Sequence, residues 1–287
     1  SPVPRPRPPP TTRQSRSGGA DVPAAPSAFA SHRRAMPTLI AAIRRKPGMT
    51  HRAFLHHLQH VHGSLAAANP LRIRRYVQNH VFDASFGTES DPAYLTEFGR
   101  DSVTELHFDT FEALTATMSD PYSREVIGPD GARFNDLSSA LALLTRPTVL
   151  TPAPAPAPAP ASNGAEDPVK VLHFVYRSQG PAADDVAARW RAAHQEALAE
   201  GAHPAQALRG CVQHGQAPGA EEALRHFGGG GEPAYVGVGA LYYDSPDEAL
   251  THFPAYERAL RERSAQTGGF YDASRSFALY SREVTVF

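Results

Sequence analysis

The segment RRYVQNHVF, at residues 74–82, carries a tyrosine, two side-chain amides and a histidine within a short run. Polar and apolar residues alternate along it, which predicts a β-strand whose successive side chains point to opposite faces. The alternation puts Tyr76, Gln78 and His80 on one face and Asn79 on the other. Because an imidazole titrates near neutral pH, His80 is a candidate general acid or base.

A second segment, VTELHFD at residues 103–109, is a predicted strand that places Glu105 and His107 on one face. Burial raises the pKa of a carboxyl group, so a half-buried glutamate beside a histidine can form a general acid/base pair. A structural hydrogen-bond network is the alternative, because buried polar groups need partners. The polar faces of these two strands together favour a small-molecule cavity.

A third candidate, His62, lies in an amphipathic helix predicted over residues 50–63, with Thr50 as its N-cap. The predicted apolar stripe of this helix consists of Phe54, Leu55, Leu58, Val61 and Leu65. His62 follows Leu55 by seven residues and therefore falls on the same stripe. That position suits a buried histidine with a purely structural hydrogen-bonding role as well as a catalytic one.

From these segments we predict three catalytic residues, His62, His80 and Glu105. The predicted substrate-binding residues are Tyr76, Gln78, Asn79 and His107. Within the helix, His56 and His60 have the i, i+4 spacing of a zinc pair. They lie off the apolar stripe, and neither a cysteine ligand nor an HExxH pattern supports them. We therefore predict that they, like His57, are solvated and that no metal is bound.

A Pro/Ala-rich segment at residues 151–168 separates two halves that contain the same order of predicted strands and helices. Such a composition favours extended polyproline II and acts as a semi-rigid spacer. We therefore predict four parts: a disordered Pro/Arg-rich tail at 1–35, a domain at 36–150, the linker at 151–168 and a second domain at 169–287.

The second half is a diverged copy of the first, in which CVQHG corresponds to YVQNH. The copy has Gly215 in place of His80 and Ala240 in place of Glu105. We predict that residues 36–150 hold the active site and that the second half is a scaffold. His214, next to the lost histidine position, leaves open a ligand site of its own in the second half.

The predicted order of elements in each half is βαββαβ, the ferredoxin-like arrangement of a four-stranded antiparallel sheet with both helices on one face. Two such sheets can pack face to face and close a barrel-like core. The predicted fold class is α+β, with two ferredoxin-like units packed sheet to sheet as an intrachain pseudo-dimeric α/β barrel. Further homo-oligomerisation stays open.

Composition narrows the classes of partner. The 28 basic residues nearly balance the 29 acidic ones, which points away from nucleic acid and from anionic membranes. No apolar run is long enough to span a bilayer, and the basic, proline-rich start lacks the apolar core of a secretory signal. With Cys211 as the single cysteine, we predict a cytoplasmic protein.

Three stretches resemble the EthD-domain family of the dimeric α/β-barrel superfamily: KPGMTHRAFLHHLQHVHGSLAAANP, RRYVQNHVF and VTELHFDTFEALTATMSDP. The resemblance covers most of residues 36–150, and the second half resembles the family as a decayed repeat. Gly63-Ser64-Leu65 is a departure, because the family usually has proline there. Carried over residue by residue, His62 and His80 match the motif histidines and Glu105 matches an acidic position of the third strand.

The resemblance implies a protein that needs no cofactor and acts on a small hydrophobic substrate. Relatives include dehydratases and cyclases of aromatic polyketide pathways, isomerases and cofactor-free monooxygenases. Our leading hypothesis is a tailoring enzyme of secondary metabolism, a lyase that dehydrates or cyclises a polyketide-like or other hydrophobic intermediate by His/Glu acid–base catalysis. The alternatives are an isomerase, a cofactor-free monooxygenase of an activated aromatic and a non-catalytic small-molecule-binding module. Fold alone does not choose among them.

Overall fold

Eight strands and the helices that cover them make up the part of the protein that the structure describes. The computed structural model describes residues 36–88, 99–151, 168–179, 183–199, 207–217, 224 and 234–287. The strands of the N-terminal half are β1 (Thr38–Ile43), β2 (Arg75–Phe86), β3 (Ser102–His107) and β4 (Leu141–Thr151). Those of the C-terminal half are β5 (Val169–Tyr176), β6 (Gly210–Gln216), β7 (Tyr235–Tyr243) and β8 (Phe277–Thr285).

The helices occupy the two positions that the βαββαβ order predicts in each half. In the N-terminal half, α1 (His51–His56) continues through a π-helical turn (His57–His62) into α2 (Gly63–Ala68). The second helical region comprises α3 (Phe111–Ser119), a π-helical turn (Ser123–Ile127) and α4 (Gly128–Phe134). The C-terminal half has α5 (Ala183–Ala199) and α6 (Pro246–Gln266). Short 3₁₀ turns, Leu137–Ser139 and Ala273–Arg275, precede β4 and β8.

The strands close into one antiparallel barrel in the order β1-β3-β2-β8-β5-β7-β6-β4. Each half contributes a four-stranded sheet, and the two sheets join edge to edge where β2 pairs with β8 and β4 pairs with β6. Closure gives each of these eight strands a partner on both sides. The predicted α+β fold, an intrachain pseudo-dimeric barrel of two ferredoxin-like units, is confirmed.

The first helix begins as its sequence predicts but changes its winding at His57. Thr50 caps α1, because its hydroxyl accepts a hydrogen bond from the Ala53 N–H at 3.1 Å. The π-helical turn then winds with i→i+5 bonds, which rotates later positions away from the 3.6-residue period. The prediction that Val61 belongs to the buried stripe is wrong for this reason, since Val61 is 38% exposed.

Apolar side chains form a core inside the barrel and further cores between the helices and the sheets. The interior core includes Ile40, Leu172, Phe174 and Leu279. The helix-side core of the N-terminal half contains Phe54, Leu58 and Phe134. That of the C-terminal half includes Trp190, Phe253 and Leu260. Each strand therefore has one face toward the barrel interior and one toward the helices, and both faces are covered.

The described residues between Met36 and Phe287 form one compact unit. The predicted tail at 1–35 and residues 152–167 of the predicted linker lie outside the described residues, so those boundaries stay predictions. Among the described helices, none combines the length and the apolar character that a bilayer crossing requires.

Candidate functional site

The predicted site residues lie on two opposite faces of the N-terminal sheet. In the pairing of β2 with β3, Val77 lies opposite Glu105 and Asn79 lies opposite Val103. Residues directly opposite each other share a face, so Asn79 and Glu105 both face the barrel interior. Gln78 lies opposite Thr104 and has the other orientation, toward the helices. The expectation that Glu105 and His107 line the same cavity as Gln78 and His80 is therefore wrong.

Tyr76, Gln78 and His80 form a hydrogen-bonded chain on the face toward the helices. The Gln78 Nε2 donates to the Leu58 carbonyl at 2.9 Å and to the Tyr76 hydroxyl oxygen at 3.1 Å. Because a carbonyl can only accept, the amide orientation is fixed and Gln78 Oε1 points to His80 Nε2, 3.1 Å away. His80 must then donate from Nε2, which leaves the lone pair on Nδ1.

Burial keeps the groups of this chain uncharged. Desolvation, with smaller effects from His51 and His60, lowers the pKa of His80 to about 4. Desolvation also raises the pKa of Tyr76 to about 12. At neutral pH His80 is therefore a hydrogen-bond acceptor at Nδ1 and a poor proton donor. Gln78, which is itself hydrogen-bonded to Tyr76, holds the His80 ring in place through Nε2.

His62 is held by a carboxylate that the sequence did not reveal. Its Nδ1 donates to Asp130 Oδ2 at 2.9 Å, while His57 Nε2 donates to Asp130 Oδ1 at 3.0 Å. The Phe134 ring packs against the His62 ring edge to face, with centroids 5.2 Å apart. Asp130 is buried, whereas 14% of the His62 side chain is exposed. The carboxylate thus fixes the tautomer and leaves His62 Nε2 as a lone pair near the surface.

The charge states of this pair suit a general base. Burial lowers the pKa of His62 and outweighs the opposing effect of Asp130. For Asp130, burial favours the neutral acid, but the hydrogen bonds from His62 and His57 outweigh it and lower its pKa. At neutral pH the pair is an ionised carboxylate and a neutral imidazole, the arrangement by which a base is oriented in catalytic triads.

Gly63 brings the helix that carries His62 close to the Gln78 chain. A Cβ on Gly63 would lie 3.2 Å from Gln78 Nε2 and 3.3 Å from the Leu58 carbonyl oxygen. The missing side chain lets the helix approach β2, so the His62 turn lies directly above Gln78. We call His57, His62, Asp130, Tyr76, Gln78 and His80 the helix-side cluster.

The interior cluster is a second set of polar residues, built by both halves of the chain. Its members are Asn79, Glu105, His107, Lys170, His214 and Glu283. Lys170 Nζ donates to Glu105 Oε1 and, at 2.9 Å, to Glu283 Oε2. Asn79 Nδ2 donates to Glu105 Oε1 at 2.8 Å, and His107 Nε2 lies 3.5 Å from Glu105 Oε2.

Charges in the interior cluster compensate one another. Burial would raise the pKa of Glu105, but the Lys170 ammonium, assisted by His107 and His214, holds that pKa well below its usual range. Burial opposes the charge of Lys170 too, and the nearby Glu105, Tyr242 and Glu283 nevertheless raise its pKa. Glu105 is therefore a paired carboxylate on the face away from His62 and His80.

Four contributors to these clusters were missed by the sequence analysis: Asp130, His57, Lys170 and Glu283. Asp130 lies in Pro129-Asp130-Gly131, a pattern typical of a turn, and is instead part of α4. His57 was predicted to be solvated and is instead bound to Asp130. Lys170 lies within an apolar strand that gave no sign of an ion pair. In the described part of the chain, no group of three or more His, Cys, Asp or Glu side chains is arranged to hold a metal ion.

The EthD-domain model matches the chain twice, at residues 46–138 and 178–274. The chain belongs to the EthD-domain family. The two matched segments lie within the two βαββαβ halves of the barrel, each between the first and the last strand of its half. The match to residues 178–274 shows that the second half is an EthD repeat too. No curated protein matches the chain significantly.

Several solved structures have a similar fold at low sequence identity. An anthrone oxidase-like protein is 12% identical, with a TM-score of 0.48 over 88% of this chain and 94% of that one. A haem-binding protein from Thermus thermophilus is 9% identical, with a TM-score of 0.41 over 86% and 91%. A chlorite dismutase from Candidatus Nitrospira defluvii is 10% identical, with a TM-score of 0.39 over 88% and 92%.

Proposed function

We propose that this EthD protein is an enzyme that transfers protons on a small hydrophobic carbonyl compound, leading to loss of water or ring closure. The observation that carries the proposal is the Asp130–His62 pair. It combines a buried carboxylate, a fixed tautomer and a partly exposed imidazole lone pair. Proton transfer of this kind needs only imidazole and carboxylate groups.

In this proposal His62 is the catalytic base and Asp130 is its positioning residue. His62 Nε2 takes a proton from the carbon next to the substrate carbonyl, and the C–H electron pair forms an enolate. The enolate then expels the hydroxyl group on the neighbouring carbon, and the His62 imidazolium returns its proton to that leaving group, which departs as water. Asp130 stabilises the imidazolium between the two transfers.

His80 has a binding role in this proposal. Its Nδ1 lone pair can accept a hydrogen bond from a substrate hydroxyl, and Gln78 and Tyr76 keep its ring in place. The predicted role of Glu105 as the acid does not suit its position, since it is salt-bridged to Lys170 inside the barrel. The same holds for Asn79 and His107, which lie beside Glu105 and not in the helix-side cluster.

A gene-replacement experiment tests the proposal and does not require an identified substrate. The gene is deleted in its host, and strains that carry wild type, His62→Gln or Asp130→Asn are compared by mass spectrometry of accumulated metabolites. We expect both variants to resemble the deletion, with activity reduced roughly a hundredfold or more, as typical of a lost general base. His56→Gln is the matched control, because His56 is an exposed histidine of the same helix.

The identity of the accumulated compound separates the candidate reactions. A compound heavier than the end product by one water supports dehydration, and an isomer of the product supports cyclisation. A compound lighter by one oxygen atom supports the monooxygenase alternative. If both variants restore normal metabolites while remaining folded by circular dichroism, the assignment of His62 and Asp130 is wrong.

A further inference from the structure

The C-terminal repeat contains a cavity of about 570 Å³ that none of the helix-side cluster residues lines. It lies between α6 and the strands β5 and β8, and Ser85 and Gly87 at the end of β2 complete its rim. We propose that this cavity is a second ligand site, for a small aromatic carboxylate. The proposal is independent of the function proposed for the N-terminal repeat.

A directed chain of hydrogen bonds lines one side of the cavity. The Tyr271 hydroxyl donates to Glu257 Oε1 at 2.7 Å, so the phenol oxygen accepts from His173 Nε2, 3.1 Å away. Burial raises the pKa of Tyr271 well above its ordinary value and lowers that of His173 to about 3. Tyr271 and His173 are thus neutral at physiological pH, and their orientation is fixed by the Glu257 carboxylate.

Aromatic rings form the deeper walls. Phe253 packs against His173 with ring centroids 5.3 Å apart and against Tyr280 with centroids 5.8 Å apart, both edge to face. Phe277 and Ala278 also line the cavity, and all five of these residues are buried. A wall of ring faces and edges favours a flat, apolar occupant, and the volume lies in the range of small-molecule sites.

The charged side chains at the cavity rim favour an anionic ligand. Arg258 and Arg261, one turn apart on α6, both line the cavity. Within the described part of the chain, neither arginine forms a hydrogen bond or an ion pair with another residue. Among the described residues that line the cavity, Glu257 is the one acidic residue, so two arginines against one glutamate give these residues a net charge of +1. Guanidinium groups bind carboxylates in bidentate geometry, which supplies the missing counter-charge.

These features belong to the C-terminal repeat alone. Thr38 pairs with His107 in the N-terminal repeat, and Lys170 pairs with Tyr242 at the equivalent place in the C-terminal repeat. His173 lies three residues after Lys170 and therefore corresponds to Ala41, three residues after Thr38. Tyr271 corresponds to Asn135, because the segments Phe-Asn-Asp and Phe-Tyr-Asp align. The N-terminal repeat therefore lacks the polar chain at these two positions, and a pure scaffold has no need of it.

Isothermal titration of the full-length protein with 2-naphthoate, and with neutral 2-naphthylmethanol, tests the site. We expect the double variant Arg258→Gln/Arg261→Gln to bind naphthoate roughly tenfold or more weakly than wild type, because charged hydrogen bonds to the carboxylate are lost. Its affinity for naphthylmethanol should stay within about twofold of the wild-type value. The control Arg52→Gln/Arg72→Gln removes the same charge from two exposed arginines of the N-terminal repeat and leaves both affinities unchanged.

A second variant locates the binding independently of charge. Ser85 is exposed at the cavity rim, so Ser85→Trp narrows the entrance and should weaken the binding of both ligands. Because Ser85 is hydrogen-bonded to Tyr280, circular dichroism confirms that the variant remains folded. The proposal is overturned if wild type fails to bind naphthoate at millimolar concentration. It is also overturned if the affinity for naphthoate is the same in the arginine double variant as in wild type, or if Ser85→Trp leaves both affinities intact.

Discussion

Replacing Lys170 by methionine should be among the most destabilising single changes in the barrel. Lys170 is 2% exposed and lies between Glu105 and Glu283. At an effective dielectric constant of about 20, two unit charges 2.9 Å apart attract by roughly 6 kcal/mol. Much of that attraction offsets desolvation, so we expect a loss of about 3–5 kcal/mol in the free energy of unfolding, typical of breaking a buried pair.

Most of the loss in the free energy of unfolding should come from Glu105, which stays buried without its cationic partner. Glu283 keeps a second partner, Arg75, at 2.6 Å, whereas Glu105 keeps no lysine or arginine partner among the described residues. Without Lys170, burial dominates and raises the Glu105 pKa above its ordinary value. A raised folded-state pKa makes the variant lose stability as pH rises through it. The deficit relative to wild type should therefore shrink by about 1 kcal/mol or more between pH of about 7.5 and about 5.

Urea unfolding at these two pH values measures the effect. Lys46→Met is the matched control, because Lys46 is exposed and is the other lysine of the chain; it should change stability by less than about 0.5 kcal/mol. The double variant Lys170→Met/Glu105→Gln removes both charges and should recover about half of the loss or more. A deficit below about 1 kcal/mol, or one that is constant with pH, would refute a paired, ionised Glu105.

Two further predictions concern the C-terminal repeat. A Cβ on Gly237 would lie 2.1 Å from the His214 carbonyl oxygen, so Gly237→Ala should cost about 3 kcal/mol or more in urea unfolding. Gly239→Ala, two residues along β7 with its nearest contact at 3.4 Å, should cost about 1 kcal/mol or less, and equal costs would contradict the close approach. Burial raises the pKa of the Cys211 thiol to about 12, so Ellman's reagent should label it only in denaturant; labelling of the native protein at the denatured rate would show that the strand is open.

Local pattern was sufficient to predict the strands, the repeat and the barrel, because alternation or an apolar, β-branched run indicates each strand and each half repeats the same order of elements. Alternation also established that Glu105 and His107 share a face. Alternation could not establish whether Glu105 and His107 lie on the same side of the sheet as Gln78, because that depends on the register between β2 and β3. The observed register, with Val77 opposite Glu105, separates the predicted catalytic residues.

Asp130 shows a second limit of sequence reasoning. It reaches His62 from a different helical region, and no local spacing relates the two residues. The π-helical turn at His57–His62 adds to the difficulty, because it changes which side chains face the core. A strict 3.6-residue period assigns Val61 to the core and His57 to solvent, and both assignments are wrong.

The buried Lys170–Glu105 pair has a consequence for how the two repeats recognise each other. The N-terminal repeat supplies the acid and has Thr38 where the other has Lys170, while the C-terminal repeat supplies the base and has Ala240 in place of Glu105. A homodimer of N-terminal repeats would enclose two carboxylates without either lysine, whereas each lysine in a homodimer of C-terminal repeats would keep Glu283 and lose Glu105. If the polypeptide were split within residues 152–167, the fragments should therefore reassemble preferentially as unlike partners. The Lys170–Glu105 ion pair thus favours the association of one repeat with the other over the association of like repeats.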